Sequence, residues 1–381
     1  MIVDWWSLPG PQRFVAQICS EIRIGKNVLL SVPDLFPDGL RKAIRESREL
    51  RDLHWHSLTV SASEHRQPLD WLWEEFVFAD DDPGQTRSVE QLLGRDELSG
   101  MVVWVDGLAP SCAGTLPAFF ERFSQVLNGI AVFKRLQLCC VVPLSSAGSF
   151  SANVCCAIID STSYVGPIDA LTFATTLIEE KAFSVLEAQV AASVVANLAL
   201  WDEELAIALA QEQLETILCP MSWLKGWCRT KEWSATLNSD DLRHKGLLTI
   251  FDGQPKVHSA IAAVRDEANV VDARVWRGQA GVLLPFIEER RRDLLEYFRN
   301  AILLPFRTQF GEIMDVNDLE IGHLHSMFGR SHRIDSDAQA LIRVLREMRN
   351  KLAHFNPVDS RMIACREIRT FRSILKVGQK P

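Results

Sequence analysis

Three short apolar runs and two further strand-like segments, separated by stretches with helical spacing, constrain the first 165 residues more than any other feature of the chain. Asn27 to Val32 is the first and ends at Pro33; Met101 to Val105 is the clearest and ends at Asp106-Gly107; Leu136 to Val142 breaks at Pro143. His56 to Ser61 and Val154 to Asp160 complete the set. Strands apolar along their whole length are buried on both faces, which is the condition of a parallel sheet covered by helices. The stretches between them, Gln12 to Ile24, Leu40 to Leu50, Asp70 to Phe78, Ser88 to Leu93 and Thr115 to Leu127, carry helical periodicity. Residues 1–165 are therefore expected to form an α/β domain on a parallel sheet.

After Pro167 the strand signals fade. Residues 166–280 read as a helical lid or winged-helix-like middle region, rich in Ala and Leu at first and then in tryptophan and turn residues such as Asp252-Gly253. Residues 281–381 read as a four-helix bundle, with helices over 282–303, 317–328, 335–355 and 359–375. The third carries Ala338, Leu341, Ile342, Leu345, Met348 and Leu352 at the spacing of a core-facing stripe.

Composition narrows the partners. A chain of 381 residues with 47% hydrophobic residues has enough apolar material for two or three ordinary cores, which excludes disorder. Its formal charge is −8, but residues 281–381 hold 17 Lys/Arg against 13 Asp/Glu, so that region carries +4 and the rest −12. A basic C-terminal module on an acidic body suits an anionic partner at that end. The nine cysteines include no C-x-x-C, which argues against a zinc site or a disulfide framework and for buried thiols. Ala182 to Trp201 is the most apolar window, but Glu187, Gln189, Ser193 and Asn197 interrupt it, so a core helix is expected there and no membrane segment. The start, Met1 to Trp6, lacks the basic and apolar regions of a secretory signal, and a cytoplasmic location is expected.

The sharpest chemical signal is Arg349-Asn350-Lys351-Leu352-Ala353-His354, at the end of the third bundle helix. Asn350 and His354 share a helix face, while Arg349 lies about 140° round from His354, so the three converge only where the helix end lines a cleft. Pro357 stops the helix three residues after His354. Basic side chains at such an end also serve simply to answer the helix dipole.

This segment resembles the R-x(4–6)-H motif of HEPN domains, four-helix nucleases and nucleotide-binding proteins of toxin and phage-defence systems, in its Arg-Asn-x-x-x-His form. The resemblance covers residues 282–378 and implies a homodimer, formed through the bundle, that cleaves RNA without metal or cofactor and leaves a cyclic phosphate. It implies that His354 exchanges a proton with the ribose 2′-hydroxyl, that Arg349 stabilises charge on the scissile phosphate, and that Asn350 orients the phosphate or His354. A histidine suits proton transfer near neutral pH, and a guanidinium offers phosphate a permanent charge and a fork of donors. Arg343, Arg346, Lys351, Arg361, Arg366, Arg369 and Arg372 are candidate contacts to an RNA backbone.

The N-terminal region resembles a P-loop NTPase of the AAA+ or STAND kind, with Val102 to Asp106 as the Walker B strand and Asp106 as its magnesium-side carboxylate. The phosphate loop departs from that pattern. After the first strand comes Pro33-Asp34-Leu35-Phe36-Pro37-Asp38-Gly39-Leu40-Arg41, with Leu40 where the lysine belongs and Arg41 where the Ser/Thr belongs. Two prolines remove N–H donors and two aspartates add negative charge, so ATP hydrolysis is not expected and nucleotide binding of the usual type is disfavoured. The region is expected to be a degenerate P-loop-like scaffold or sensor.

Arg274 to Gln279, followed by Leu284 to Glu288, reads as the junction of the middle region with the bundle. His54 with His56, and His323 with His325, lack a carboxylate or thiolate at ligand spacing, so no metal site is expected. The expected function is a ribonuclease of a prokaryotic antiviral or toxin–antitoxin system, its HEPN-like part controlled by the degenerate NTPase-like module. The alternative, from a different class, is a non-enzymatic scaffold subunit that binds a partner protein in a defence complex.

Overall fold

The computed structural model describes residues 3–60, 67–76, 87–108, 114–309, 311–328 and 335–377. The chain forms two compact units, and both are discontinuous in sequence: 3–169 with 236–257, and 170–235 with 258–381. The stretch read from the sequence as one middle region, 166–280, is thus divided between them, because residues 236–257 return to the first unit.

In the first unit, α1 (Pro9–Arg23) opens on Pro9 and buries Phe14, Val15, Ile18 and Ile22. It leads through Gly25, at φ +82°, into β1 (Asn27–Val32). There follow α2 (Leu40–Arg45), β2 (His54–Thr59), α3 (Pro68–Glu75), α4 (Val89–Leu93), β3 (Met101–Asp106), α5 (Leu116–Leu127), β4 (Gln137–Pro143) and β5 (Cys156–Asp160). The five strands make one sheet in the order β2-β3-β4-β1-β5, every pair parallel. β1 runs between β4 and β5, with Leu30 opposite Val141 and Ile159. The expected parallel α/β architecture is present.

The burial pattern explains the order. All of β1 except Val32 is buried, as a strand needs to be with neighbours on both edges and helices on its faces. Its one amide side chain, Asn27, is buried and accepts the Leu138 N–H at 2.8 Å, stitching β1 to β4. β2 is a partly exposed edge, and His56 there pairs with Glu75 at 2.6 Å. One apolar cluster, with Trp71, Phe120, Phe123, Leu127, Val103 and Cys140 among its members, fills one layer of the unit.

The second unit takes α6 (Pro167–Ile178) from Ala170 onward, then α7 (Val185–Ala199), α8 (Glu203–Gln211), α9 (Leu214–Leu218) and α10 (Met221–Thr230). The chain then crosses to the first unit as α11 (Ser239–His244) and the hairpin β6 (Leu248–Phe251) and β7 (Gln254–Val257). Asp252 and Gly253 turn that hairpin with φ of +57° and +69°, the mirror-image turn that an Asp-Gly pair favours. The second unit resumes with α12 (Ser259–Val264), α13 (Ala268–Tyr297), a small hairpin of β8 (Phe306–Thr308) and β9 (Gly311–Ile313), α14 (Ile321–Phe328), α15 (Ser336–Ala353), α16 (Ser360–Ile363) and α17 (Arg366–Val377). Among the described residues no helix is long and apolar enough to cross a membrane.

This differs from four helices beginning at 282. α13 starts at Ala268 and passes through Gly278, Gly281 and Pro285, residues that read locally as breakers. Gly278 is there for packing: a Cβ on it would lie 2.7 Å from the Cα of Val194, so α13 and α7 meet with almost no side chain between them. The expected last helix is two, broken at Ala364 and Cys365, and Asp359 caps the first through the Met362 N–H. α7 starts in a capping box, with Ser184 and Glu187 bonded reciprocally, and Arg369 of α17 reaches the same Glu187 at 2.6 Å. Asp202 and His258 are buried, cap α8 and α12, and bond to each other at 3.0 Å.

Candidate functional site

α15 is an amphipathic helix whose expected stripe is completely inside: Ala338, Leu341, Ile342, Leu345, Met348 and Leu352 are all buried. Its opposite face is exposed. The helix ends where the motif predicts, with Ala353 the last helical residue and His354 the cap. Phe355 follows at φ +58°; its N–H bonds to the Leu352 carbonyl at 3.2 Å, and the Asn356 N–H reaches back to the Lys351 carbonyl at 2.9 Å. These are the two bonds of a Schellman ending, a motif whose left-handed position glycine normally takes. Here it holds phenylalanine, for which that conformation is strained.

Two side chains of α13 hold this turn. The Trp276 indole N–H donates to the Leu352 carbonyl at 2.8 Å, and its ring lies 4.7 Å from that of Phe355. Gln279, wholly buried, donates to the Val358 carbonyl at 2.7 Å and accepts the Val358 N–H at 2.6 Å. Lys351 adds an ion pair with Asp359 at 3.1 Å. Asp359 is partly desolvated, which raises its pKa, but the Lys351 ammonium and the Met362 N–H outweigh that and hold it below the usual carboxylate range.

The three motif residues are not drawn together. Asn350 is half-buried and His354 exposed, and among the described residues neither side chain has a hydrogen-bond partner. Arg349, on the flank of the helix, is exposed and pairs with Glu320 at 3.0 Å. Within one chain, then, an imidazole and an amide share one face, while the guanidinium is turned toward the segment before α14. Trp276 and Gln279 belong to the run that the sequence marks only as a junction; nothing in their spacing identifies them as supports of a turn some 75 residues away. Phe355 carried a signal, a bulky residue between a histidine and Asn-Pro, that pattern reading passes over.

At the other candidate position, Asp106 ends β3 and its carboxylate accepts the indole N–H of Trp104, two residues earlier in the same strand, at 3.1 Å. Its carbonyl accepts the Val60 N–H at 2.9 Å, and the turn continues through Gly107 at φ +77°, where a Cβ would meet the Val60 carbonyl oxygen at 2.4 Å. The loop after β1 is occupied by the chain itself. The Asp34 and Leu35 N–H groups donate to the His244 and Lys245 carbonyls, both at 3.0 Å, and Lys245 pairs with Asp34. Gly246 comes so close that a Cβ would touch Pro33 and the Leu35 carbonyl at 3.0 Å. Phe36 sits in an aromatic cluster with Trp6, Phe14 and Tyr164, and the Trp6 indole bonds to the Asp38 carbonyl at 2.5 Å. Leu40, at the lysine position of a phosphate loop, is buried. Two amides of the loop are therefore already bonded within the chain, and the ammonium nearest Asp34, that of Lys245, is paired with its carboxylate.

The thiols of Cys139, Cys140 and Cys156 are buried in the sheet, Cys139 on the face opposite to Cys140, and burial pushes all three up, Cys156 to about 12. Cys112 lies outside the described residues. Among the described residues no group of three or more His, Cys, Asp and Glu side chains is placed to hold a metal.

No family model matches the chain, and no curated protein matches it. Among solved structures, a mutant of Thermogota maritima RuvB is similar over 80% of this chain and 90% of that one, at 14% identity and a TM-score of 0.30. At that score the likeness says nothing further about this chain.

Proposed function

We propose that the chain is a metal-independent endoribonuclease of the HEPN kind, working in the cytoplasm of a prokaryote in phage defence or as a toxin, its C-terminal part regulated by a degenerate P-loop-like α/β unit. His354 exchanges the proton of a ribose 2′-hydroxyl, Asn350 orients the phosphate, and Arg349 neutralises charge on it after leaving Glu320. Because one chain holds these groups apart, the active form is a homodimer that sets two motifs face to face. The observation that carries the reading is the end of α15: an exposed histidine and an amide with no partners among the described residues, on a turn held from behind by Trp276 and Gln279. The backbone that carries these groups is anchored while their polar atoms stay open to a ligand, as a binding or catalytic turn requires.

A second reading, a non-enzymatic subunit that binds a partner protein in a defence complex, is favoured by the Arg349–Glu320 pair, which leaves the guanidinium engaged. ATP hydrolysis forms no part of either reading, since the Asp34 and Leu35 amides are taken. Cleavage of end-labelled RNA in excess EDTA, by wild type and His354→Ala, run beside a solution mass, tests the choice. Cleavage by a dimer, lost in the variant, supports the nuclease; an intact dimer that leaves RNA uncut supports the subunit.

A further inference from the structure

We propose, resting on the ribonuclease reading, that the exposed face of α15 and the ring of Phe355 form a track for single-stranded RNA: an unpaired base stacks on Phe355 while Arg346 and Arg343 hold the backbone along the helix. Phe355 is 70% exposed and stands at a left-handed position that glycine would fill without strain. A residue whose only task was to end the helix has no need of that ring. The ring is also braced, with Trp276 beneath it at 4.7 Å, so an incoming base meets a surface already ordered.

Charge runs on from the ring. At 100° per residue, Arg343, Arg346, Asn350 and His354 fall within an arc of about 80°, and from Arg343 to His354 the helix rises about 16 Å. Arg343 and Arg346 are exposed and have no ion pair among the described residues. Glu347, also exposed, borders the stripe next to Arg343 and Arg346, about 10 Å along the helix from His354, and opposes an anion there. Ala353, His354 and Asn356, the chain neighbours of Phe355, are exposed and small or polar, and the Trp276 ring packed against it is itself half-buried, which differs from the wide apolar patch of a protein interface. A duplex keeps its base faces stacked inside, and only an unpaired base presents one to an aromatic ring.

Anisotropy with the full-length protein, a labelled single-stranded oligoribonucleotide and its duplex provides the test, using His354→Ala as background so that cleavage does not intrude. Single strand is expected to bind more tightly than duplex. Phe355→Ala is expected to weaken single-strand binding by about 5- to 150-fold, the range for loss of one stacked base. Phe355→Gly, which removes the ring and the backbone strain together, is expected to weaken it equally while remaining folded. Arg346→Gln is expected to lower the salt slope by roughly 0.7, and Glu347→Gln to tighten binding. Equal binding of duplex and single strand, or full binding by a folded Phe355→Gly protein, overturns the proposal. So does a Phe355→Gly protein that changes from dimer to monomer, since the ring then belongs to a contact between two copies. If the single strand binds through Phe355 yet wild type cleaves nothing, the nuclease reading fails and the track stands; if wild type cleaves and Phe355→Gly neither binds nor cleaves less well, the track fails and the nuclease stands.

Discussion

Gln279 and Val358 are joined by two hydrogen bonds, side-chain amide to backbone N–H and C=O, although 79 residues separate them. Val358 lies four residues past His354, so this pair sets where the chain goes as it leaves the candidate site. Gln279→Ala would leave both buried backbone groups without partners. The expected loss is about 2–4 kcal/mol in urea unfolding of the full chain. RNA binding is expected to fall in the folded variant as well, since the turn carrying His354 and Phe355 loses its anchor.

Two glycines of α13 should respond with opposite signs. Intrinsic propensity favours Ala over Gly in a helix by about 1 kcal/mol. Gly281 has open space around it, so Gly281→Ala is expected to stabilise by about 0.5–1 kcal/mol. Gly278→Ala drives a methyl into the backbone of α7 and is expected to destabilise by about 1–3 kcal/mol. Thermal unfolding of the two variants side by side reads the difference; equal shifts would contradict the close α7–α13 contact.

Acid should act through Glu187. Partial burial raises its pKa, but Arg369 and Ser184 outweigh that and hold the carboxylate below its ordinary range. A depressed folded pKa means that the stabilisation is complete above the unfolded value near 4.5 and is lost as pH falls through the folded value. Glu187→Gln is expected to flatten the stability–pH curve between about pH 5 and 3. Chemical unfolding at a series of pH values shows whether it does.

Alkali should act on the α/β unit. The thiols of Cys139, Cys140 and Cys156 are pushed up from 9.0 by burial, so the folded chain holds their protons where the unfolded chain releases them. Their contribution is intact below pH 9 and falls as pH rises toward the folded values, by as much as about 1.4 kcal/mol per pH unit for each thiol. The urea midpoint is expected to drop above pH 9, and less so in Cys156→Ala. Native-state alkylation of these thiols is expected to stay slow at pH 8.

Local pattern determined a good part of this protein. Runs such as Asn27 to Val32 and Met101 to Val105 contain their own evidence of burial on two faces, and the stripe from Ala338 to Leu352 states which side of α15 faces inward. Asn356-Pro357 marks the end of that helix because proline cannot continue one. What depended on residues far apart in sequence was decided only by the tertiary structure. Gly278 looks like a helix breaker until Val194 is placed against it, and α13 runs straight past the expected start of the bundle. Residues 236–257 show no sign of belonging with β1 until the Asp34 and Leu35 amides are seen bonded to His244 and Lys245. The partners of the motif, Glu320 for Arg349 and Trp276 for Leu352, share no periodicity with it. Periodicity reports which face of an element is buried; which element buries it, and which carbonyl an indole finds, follow from the three-dimensional packing of both.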